Sequence, residues 1–259
     1  KIIEMEMVSE FDEVASFVPD KEMLEIIRMP YDFNNVKVAL KSVFRAREGG
    51  ERRHDLLTKL GAVDPERVIL AVEGEEYDLL PYGLWHVLPQ CRSLWEQTRS
   101  PRDAELLLDD CMFKAMLQHA RKLGMPGLTS WVRLRIDAEN ITTAMRLARM
   151  KFDQSASLKF FHDGGTISPQ NACRLLAEPV ESWSKVLSYT PFGALLEADP
   201  KSPPSAPTSA LRGPGYTAEG VVLHLLMKEA EARSLRLALV CVANGLNRDA
   251  VRRLMSHGR

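Results

Sequence analysis

Along this chain of 259 residues, apolar side chains recur at helical spacing nearly everywhere, and no run of about four to eight residues alternates in strand fashion. The pattern predicts an all-α protein. Expected helices run over about Phe33–Arg47, Arg52–Leu60, Pro65–Val72, Leu84–Gln97, Pro101–Leu123, Ala138–Lys151, Pro169–Ala177, Val180–Leu187, Ala218–Val242 and Arg248–Met255. Asp64-Pro65, Ser100-Pro101 and Ser168-Pro169 each place a capping oxygen before a proline at the first helical position, where the missing N–H costs nothing. One stretch breaks the pattern. Asp199–Gly215 holds Pro200, Pro203, Pro204, Pro207 and Pro214 among Ser, Thr and Gly, and reads as a surface loop leading to the long helix that begins near Ala218.

The pattern also repeats. Tyr31-Asp32-Phe33-Asn34-Asn35-Val36-Lys37 aligns with Ile136-Asp137-Ala138-Glu139-Asn140-Ile141-Thr142, both reading Asp-x-x-Asn-apolar with a basic residue later in the helix (Lys41, Arg146). A weaker third copy is Ala230–Leu239, preceded by Lys228-Glu229, with Glu231 and Ser234 in the acidic and small polar places and Arg236 beyond them. After the copies come Leu60-Gly61-Ala62-Val63-Asp64-Pro65, Gly164-Gly165-Thr166-Ile167-Ser168-Pro169 and Asn244-Gly245-Leu246-Asn247-Arg248, each read as a glycine helix end followed by the cap of a new helix. In this alignment the third copy is about 15 residues shorter between motif and turn. An acidic residue in a first helical turn favours the positive end of the dipole, and an Asn three residues on lies on the same face, able to bond a neighbouring backbone. The repeat positions Asp32, Asn35, Lys37, Asp137, Asn140, Arg146, Lys228, Glu229, Glu231 and Arg236 are therefore expected to be structural.

Composition agrees and narrows the function. Leu (34), Ala (24) and Met (11) outnumber Val (18) and Ile (8), as suits helices. With 34 Lys and Arg against 35 Asp and Glu, the net charge of -1 argues against a nucleic-acid binder, despite Arg52, Arg53 and the closing Arg248, Arg252, Arg253 and Arg259. Cys91, Cys111, Cys173 and Cys241 form no C-x-x-C pair, so they read as small hydrophobes in a reduced compartment. His54, His86, His119, His162, His224 and His257 show no metal-ligand spacing, and Gly164-Gly165-Thr166 lacks the lysine of a phosphate loop. No catalytic, cofactor or metal site is expected. The longest apolar run, Leu237–Ala243, falls far short of the ~20 residues that cross a bilayer.

At these residues the chain resembles the C subunit of archaeal and bacterial A/V-type ATPases, called the d subunit in the eukaryotic vacuolar enzyme. The resemblance rests on Tyr31-Asp32-x-x-Asn35-Val36-Lys37-x-x-Leu40-Lys41, on Asp137-x-x-Asn140-Ile141 with Arg146, and on Lys228-Glu229-Ala230-Glu231 with Leu235-Arg236 and the Asn244-Gly245-Leu246 turn. It implies three similar helical modules arranged pseudo-threefold in a funnel, at 1–81, 82–180 and 181–259, the first incomplete at its N-terminal side. It further implies a non-catalytic central-stalk connector, peripheral on the cytoplasmic side of the membrane. Its partners would be the D- and F-type subunits of the rotor shaft and the c/K-type proteolipid ring, and it would transmit torque for proton or sodium transport coupled to ATP hydrolysis or synthesis. A helical-repeat scaffold unrelated to a rotor is the competing reading; it would share the repeat without the Lys228-Glu229-Ala230-Glu231 copy in register.

Overall fold

The computed structural model describes residues 2–213 and 217–246, and among them every regular element is helical. The order is α1 (Ile2–Phe17), α2 (Glu22–Arg47), α3 (Pro65–Glu73), α4 (Leu84–Thr98), α5 (Pro101–Lys122), α6 (Pro126–Arg149), α7 (Pro169–Arg174), α8 (Trp183–Val186), α9 (Pro191–Ala198) and α10 (Ala218–Ala243), with short 3-10 turns between them. The expected helix Arg248–Met255, the closing arginines and Pro214-Gly215 lie outside the described residues.

Local chemistry explains most boundaries. The Asp64 side chain accepts from the Glu66 N–H and Ser168 from the Asn171 N–H, each ahead of a proline in the first turn of α3 or α7. Ser100 precedes Pro101 in the same way but makes no side-chain cap bond, so α5 starts on the proline alone. Thr190 and Thr217 cap α9 and α10 by accepting from Phe192 and Gly220.

Several expected boundaries are corrected. The helix expected from Phe33 begins at Glu22 and runs through Pro30, and the one expected from Ala138 begins at Pro126. Pro30 forgoes one ladder bond, and the helix persists because Ile26, Ile27, Met29 and Phe33 are fully buried around it. The helix expected over Arg52–Leu60 shrinks to a 3-10 turn at His54–Leu56, because side chains of α2 take the backbone groups that follow. Val180–Leu187 splits into a 3-10 turn at Val180–Ser182 and α8. The elements α1 and α9 had no counterpart in the sequence pattern. Asp199–Pro207 is irregular as expected, but Thr208–Leu211 forms a 3-10 turn that packs on α6 and buries Leu211.

The chain divides into two compact units. The first comprises Lys1–Gly124 with His224–Glu229, and its core lies where α2 meets α3 and α5, and α4 meets α5. There Phe44 and Trp95 stack face to face with centroids 4.3 Å apart, and Leu88 of α4 and Leu108 of α5 are also buried. Two ion pairs tie α2 to α5 at the margin of this core, Lys37–Asp109 and Lys41–Glu105, each 2.5 Å. The second unit comprises Met125–Leu223 with Ala230–Arg259. Its core gathers Leu128, Trp131, Ile136 and Ile141 of α6, with Trp183 of α8 and Phe192 and Leu196 of α9 also buried.

Replacing Trp95 by Ala empties a fully packed site of its largest side chain. The expected cost is ~3–5 kcal/mol of unfolding free energy in urea titrations. A loss below ~1 kcal/mol would mean that Phe44 and its neighbours collapse into the gap.

Candidate functional site

The two Asp-x-x-Asn motifs build the same device. Asp32 and Asp137 lie well inside α2 and α6, not in their first turns, so the helix dipole is not what holds them there. Both carboxylates are buried, and both face a loop that returns across the helix. The Ala62 N–H donates to Asp32 Oδ2 at 3.1 Å and the Val63 N–H to Oδ1 at 2.9 Å. In the second copy the Thr166 N–H donates to Asp137 Oδ2 at 3.0 Å and the Ile167 N–H to Oδ1 at 2.9 Å, while the Thr166 hydroxyl adds a 2.5 Å bond to Oδ2.

One helical turn on, the asparagine grips the same loop at both backbone atoms. Asn35 Nδ2 donates to the Thr58 carbonyl at 2.8 Å and its Oδ1 accepts from the Thr58 N–H at 2.9 Å. Asn140 does the same with His162, 2.8 Å in each direction. An amide is the side chain that offers one donor and one acceptor side by side, as a single backbone residue requires. Gly61 and Gly165 complete the clamp: a Cβ at either would overlap the Oδ1 of Asp32 or Asp137. Their role is therefore close approach to a carboxylate.

This corrects the expected helix ends. α2 and α6 terminate before the expected turns, at Gly49 (φ 79°) and Lys151 (φ 51°), whereas α10 ends at Gly245 (φ 71°), where its glycine end was expected. Each end carries the same pair of bonds: Gly49 to Ala46 and Gly50 to Arg45, Lys151 to Ala148 and Phe152 to Leu147, Gly245 to Val242 and Leu246 to Cys241. Asn244-Gly245-Leu246 is thus the counterpart of the ends at Gly49 and Lys151, not of the turns at Gly61 and Gly165. The apparent shortening of the third copy came from matching unlike turns.

The remaining repeat positions do not gather at one site. Lys37 pairs with Asp109 on α5. Arg146 stands 4.0 Å from Glu139 on the surface of α6, an arrangement worth little in water. Glu229 accepts a 2.6 Å bond from the Tyr31 hydroxyl, Lys228 is partly buried, and Glu231 and Arg236 are exposed on α10. Sequence reasoning missed Thr58 and Tyr82, and the returning backbone as the partner of the motifs. Tyr82 places its hydroxyl 3.5 Å from Asp32 Oδ2, at φ 64°.

Elsewhere in the first unit, a groove of about 790 Å³ is lined by Tyr82, Trp85, His86, Gln90, Cys111 and Lys114, with Trp85 largely exposed. A smaller cavity of about 340 Å³ is lined by Arg47, Arg52, Arg92, Glu73 and Glu75, whose charges pair among themselves and with Glu96. No group of His, Cys, Asp and Glu among the described residues is arranged to hold a metal ion. No helix among them is long and apolar enough to cross a membrane.

Burial raises the Asp32 carboxyl to about 6, against the opposing pull of the Val63 and Ala62 N–H groups. Asp137 is raised too, again by burial, with the Thr166 hydroxyl and the Ile167 and Thr166 N–H groups opposing. A folded-state pKa above the unfolded one means that folding favours the protonated form. The stabilisation from Asp32 is therefore fully present below about 4 and is lost as pH rises through about 6. Urea titrations from pH 4 to 7 are expected to show this decline in the native chain and to lack the Asp32 component in Asp32→Asn. At neutral pH, Asn140→Leu removes both hydrogen bonds that Asn140 makes to the His162 backbone and should cost ~1–3 kcal/mol. An unchanged melting temperature in that variant would remove the structural role given to Asn140.

Residues 1–212 match the family described as ATP synthase (C/AC39) subunit. Proteins named as the C subunit of V-type ATP synthase, from two strains of Thermus thermophilus, are each 27% identical to this chain over 183 residues, a match covering 68% of the chain and 53% of the relative. The match thus spans about half the length of these relatives. The family's pattern runs through both clamps, from Asp32 and Gly61 to Asp137 and Gly165, and on that match the chain belongs to the ATP synthase (C/AC39) subunit family.

Proposed function

We propose that this chain serves as the central-stalk connector of a rotary A/V-type ATPase, seating the D- and F-type shaft subunits on the c/K-type proteolipid ring. The observation that carries this reading is the family match over residues 1–212, which contains both clamps. In this reading the protein performs no catalysis. It passes torque between ATP hydrolysis or synthesis in the catalytic hexamer and proton or sodium movement in the membrane sector. It is peripheral on the cytoplasmic side, and its three modules, 1–81, 82–180 and 181–259, surround a funnel that admits the shaft.

The clamps support a mechanical role. A connector under torque must not yield at its loops, which are ordinarily the softest parts of a fold. Here the loops after α2 and α6 are fastened to buried side chains at several backbone atoms each. The ten repeat positions act as scaffold in this reading, and contacts to ring and shaft fall to other surface residues.

The test is a pull-down of the tagged chain from a detergent-solubilised membrane extract that contains the shaft subunits. Recovery of proteolipid and shaft together is expected. Recovery of neither, from a chain shown by circular dichroism to be folded, would leave the scaffold reading in its place.

A further inference from the structure

We propose that the groove between α4 and α5 is a docking site for an acidic amphipathic helix of a partner protein. The groove, of about 790 Å³, lies wholly within the first unit. Leu107, Cys111, Lys114, Ala115, Gln118 and Lys122 of its lining recur every three or four residues and so fall on one face of α5. From Leu107 to Lys122 that face is ~22 Å long at about 1.5 Å per residue, the length of a helical segment of about four turns.

The opposite wall holds an exposed indole in place. Trp95, Trp131 and Trp183 are 2%, 3% and 0% exposed, whereas Trp85 is 60% exposed. Tyr82 and Gly83 take successive left-handed conformations (φ 64° and 75°) just before α4, and the Tyr82 ring stacks on Phe33 with centroids 6.1 Å apart. Trp85 follows in the first turn of α4, its ring edge-on to His86 at 5.4 Å. A large apolar side chain left in water on a fixed backbone suits an anchor for a partner's apolar row, since tryptophan is enriched among the residues that dominate binding energy. Met29, Val87, Leu107 and Ala115 continue the apolar lining.

Charge names what the partner carries. The lining holds Lys114, Lys122, His86 and His119, and no Asp or Glu. Lys122 is engaged by Glu22 at 2.8 Å, and His119 bonds the Glu22 carbonyl. Lys114 is exposed and makes no ion pair or hydrogen bond with a described residue, so a partner's carboxylate would meet it without displacing an internal bond. The same charge disfavours two other occupants. A second copy docked groove to groove would set one basic lining against the other. A bilayer surface would leave the recess unfilled, and attachment to anionic lipid draws on clusters of about four to eight Lys or Arg. A helix laid in the groove, with apolar anchors at successive turns and acids between them, satisfies both the length and the charge. The site does not depend on the rotor reading, since a scaffold would use it in the same way.

The test uses the whole chain and an acetylated helical peptide of about 15 residues, with leucine at every third or fourth position and glutamate between. A counterpart carries lysine for glutamate. Because the other three tryptophans are buried, acrylamide quenching of fluorescence reads Trp85. The acidic peptide is expected to shield Trp85 and the basic one to leave it open. Lys114→Glu is expected to weaken the acidic peptide about tenfold and to admit the basic one, and Trp85→Ala to weaken the acidic peptide by a similar factor in calorimetry. Both side chains are exposed, and circular dichroism checks that the variants keep their helices. Four results would each overturn the proposal: no shielding at millimolar acidic peptide, equal shielding by both peptides, binding that Lys114→Glu leaves unaltered, or shielding by phosphatidylserine vesicles in place of the peptide.

Discussion

Two ionisable side chains placed inside long helices decide how the chain around them is arranged. A carboxylate in an apolar interior is costly unless its oxygens are satisfied, and neither α2 nor α6 can satisfy Asp32 or Asp137 from its own backbone, since those N–H groups already serve the helix. The donors must come from another segment, and the returning loops supply them through Ala62 and Val63, and through Thr166 and Ile167. From that demand follow the glycine at the point of closest approach, the asparagine one turn on that holds the loop's other end, and the start of the next helix within a few residues. The loop path and the entry into α3 and α7 are consequences of one buried acid in each copy, whereas the ends of α2 and α6 are set by their own backbone caps.

Burial and hydrogen bonding pull these acids in opposite directions, and the balance differs between the copies. Asp32 accepts two backbone N–H groups and has Tyr82 only at the edge of hydrogen-bond range, and its pKa settles at about 6. Asp137 has the same two backbone donors and a hydroxyl at 2.5 Å as well. A short bond from Thr166 favours the charged form, so the second clamp holds its carboxylate with better compensation than the first. Threonine where the first copy has Ala62 is the sequence difference responsible.

Much of this was legible in the letters, and what was not has a common cause. Helical periodicity gave the all-α class. Ser and Asp before proline marked the starts of α3, α5 and α7, and the paired Asp-x-x-Asn motifs marked a recurring polar position inside apolar helices. The failures occur where a distant segment decides. Pro30 looks like a boundary locally, yet the core around Met29 and Phe33 carries the helix through it. Arg52–Leu60 has helical periodicity, yet Asn35 draws the backbone of Thr58 into side-chain bonds that a helix would have used. The glycine turns misled for the same reason: Gly49 and Gly61 are both glycines near a helix end, and only the partner across space distinguishes a left-handed cap from a glycine kept small by a carboxylate.

The clamp also bears on how such a chain resists deformation. Ion pairs such as Lys37–Asp109 and Lys41–Glu105 join α2 to α5, but partly exposed pairs on flexible stems are screened and contribute little to rigidity. Buried hydrogen bonds to a short side chain behave differently. Asp and Asn have few rotatable bonds, their helices fix where those bonds begin, and water does not compete for the acceptors, so a displaced loop loses several bonds at once with nothing to replace them. Loops fastened this way move with their helices. The hold on these two loops therefore comes from buried polar groups, added to close packing of the apolar side chains around them.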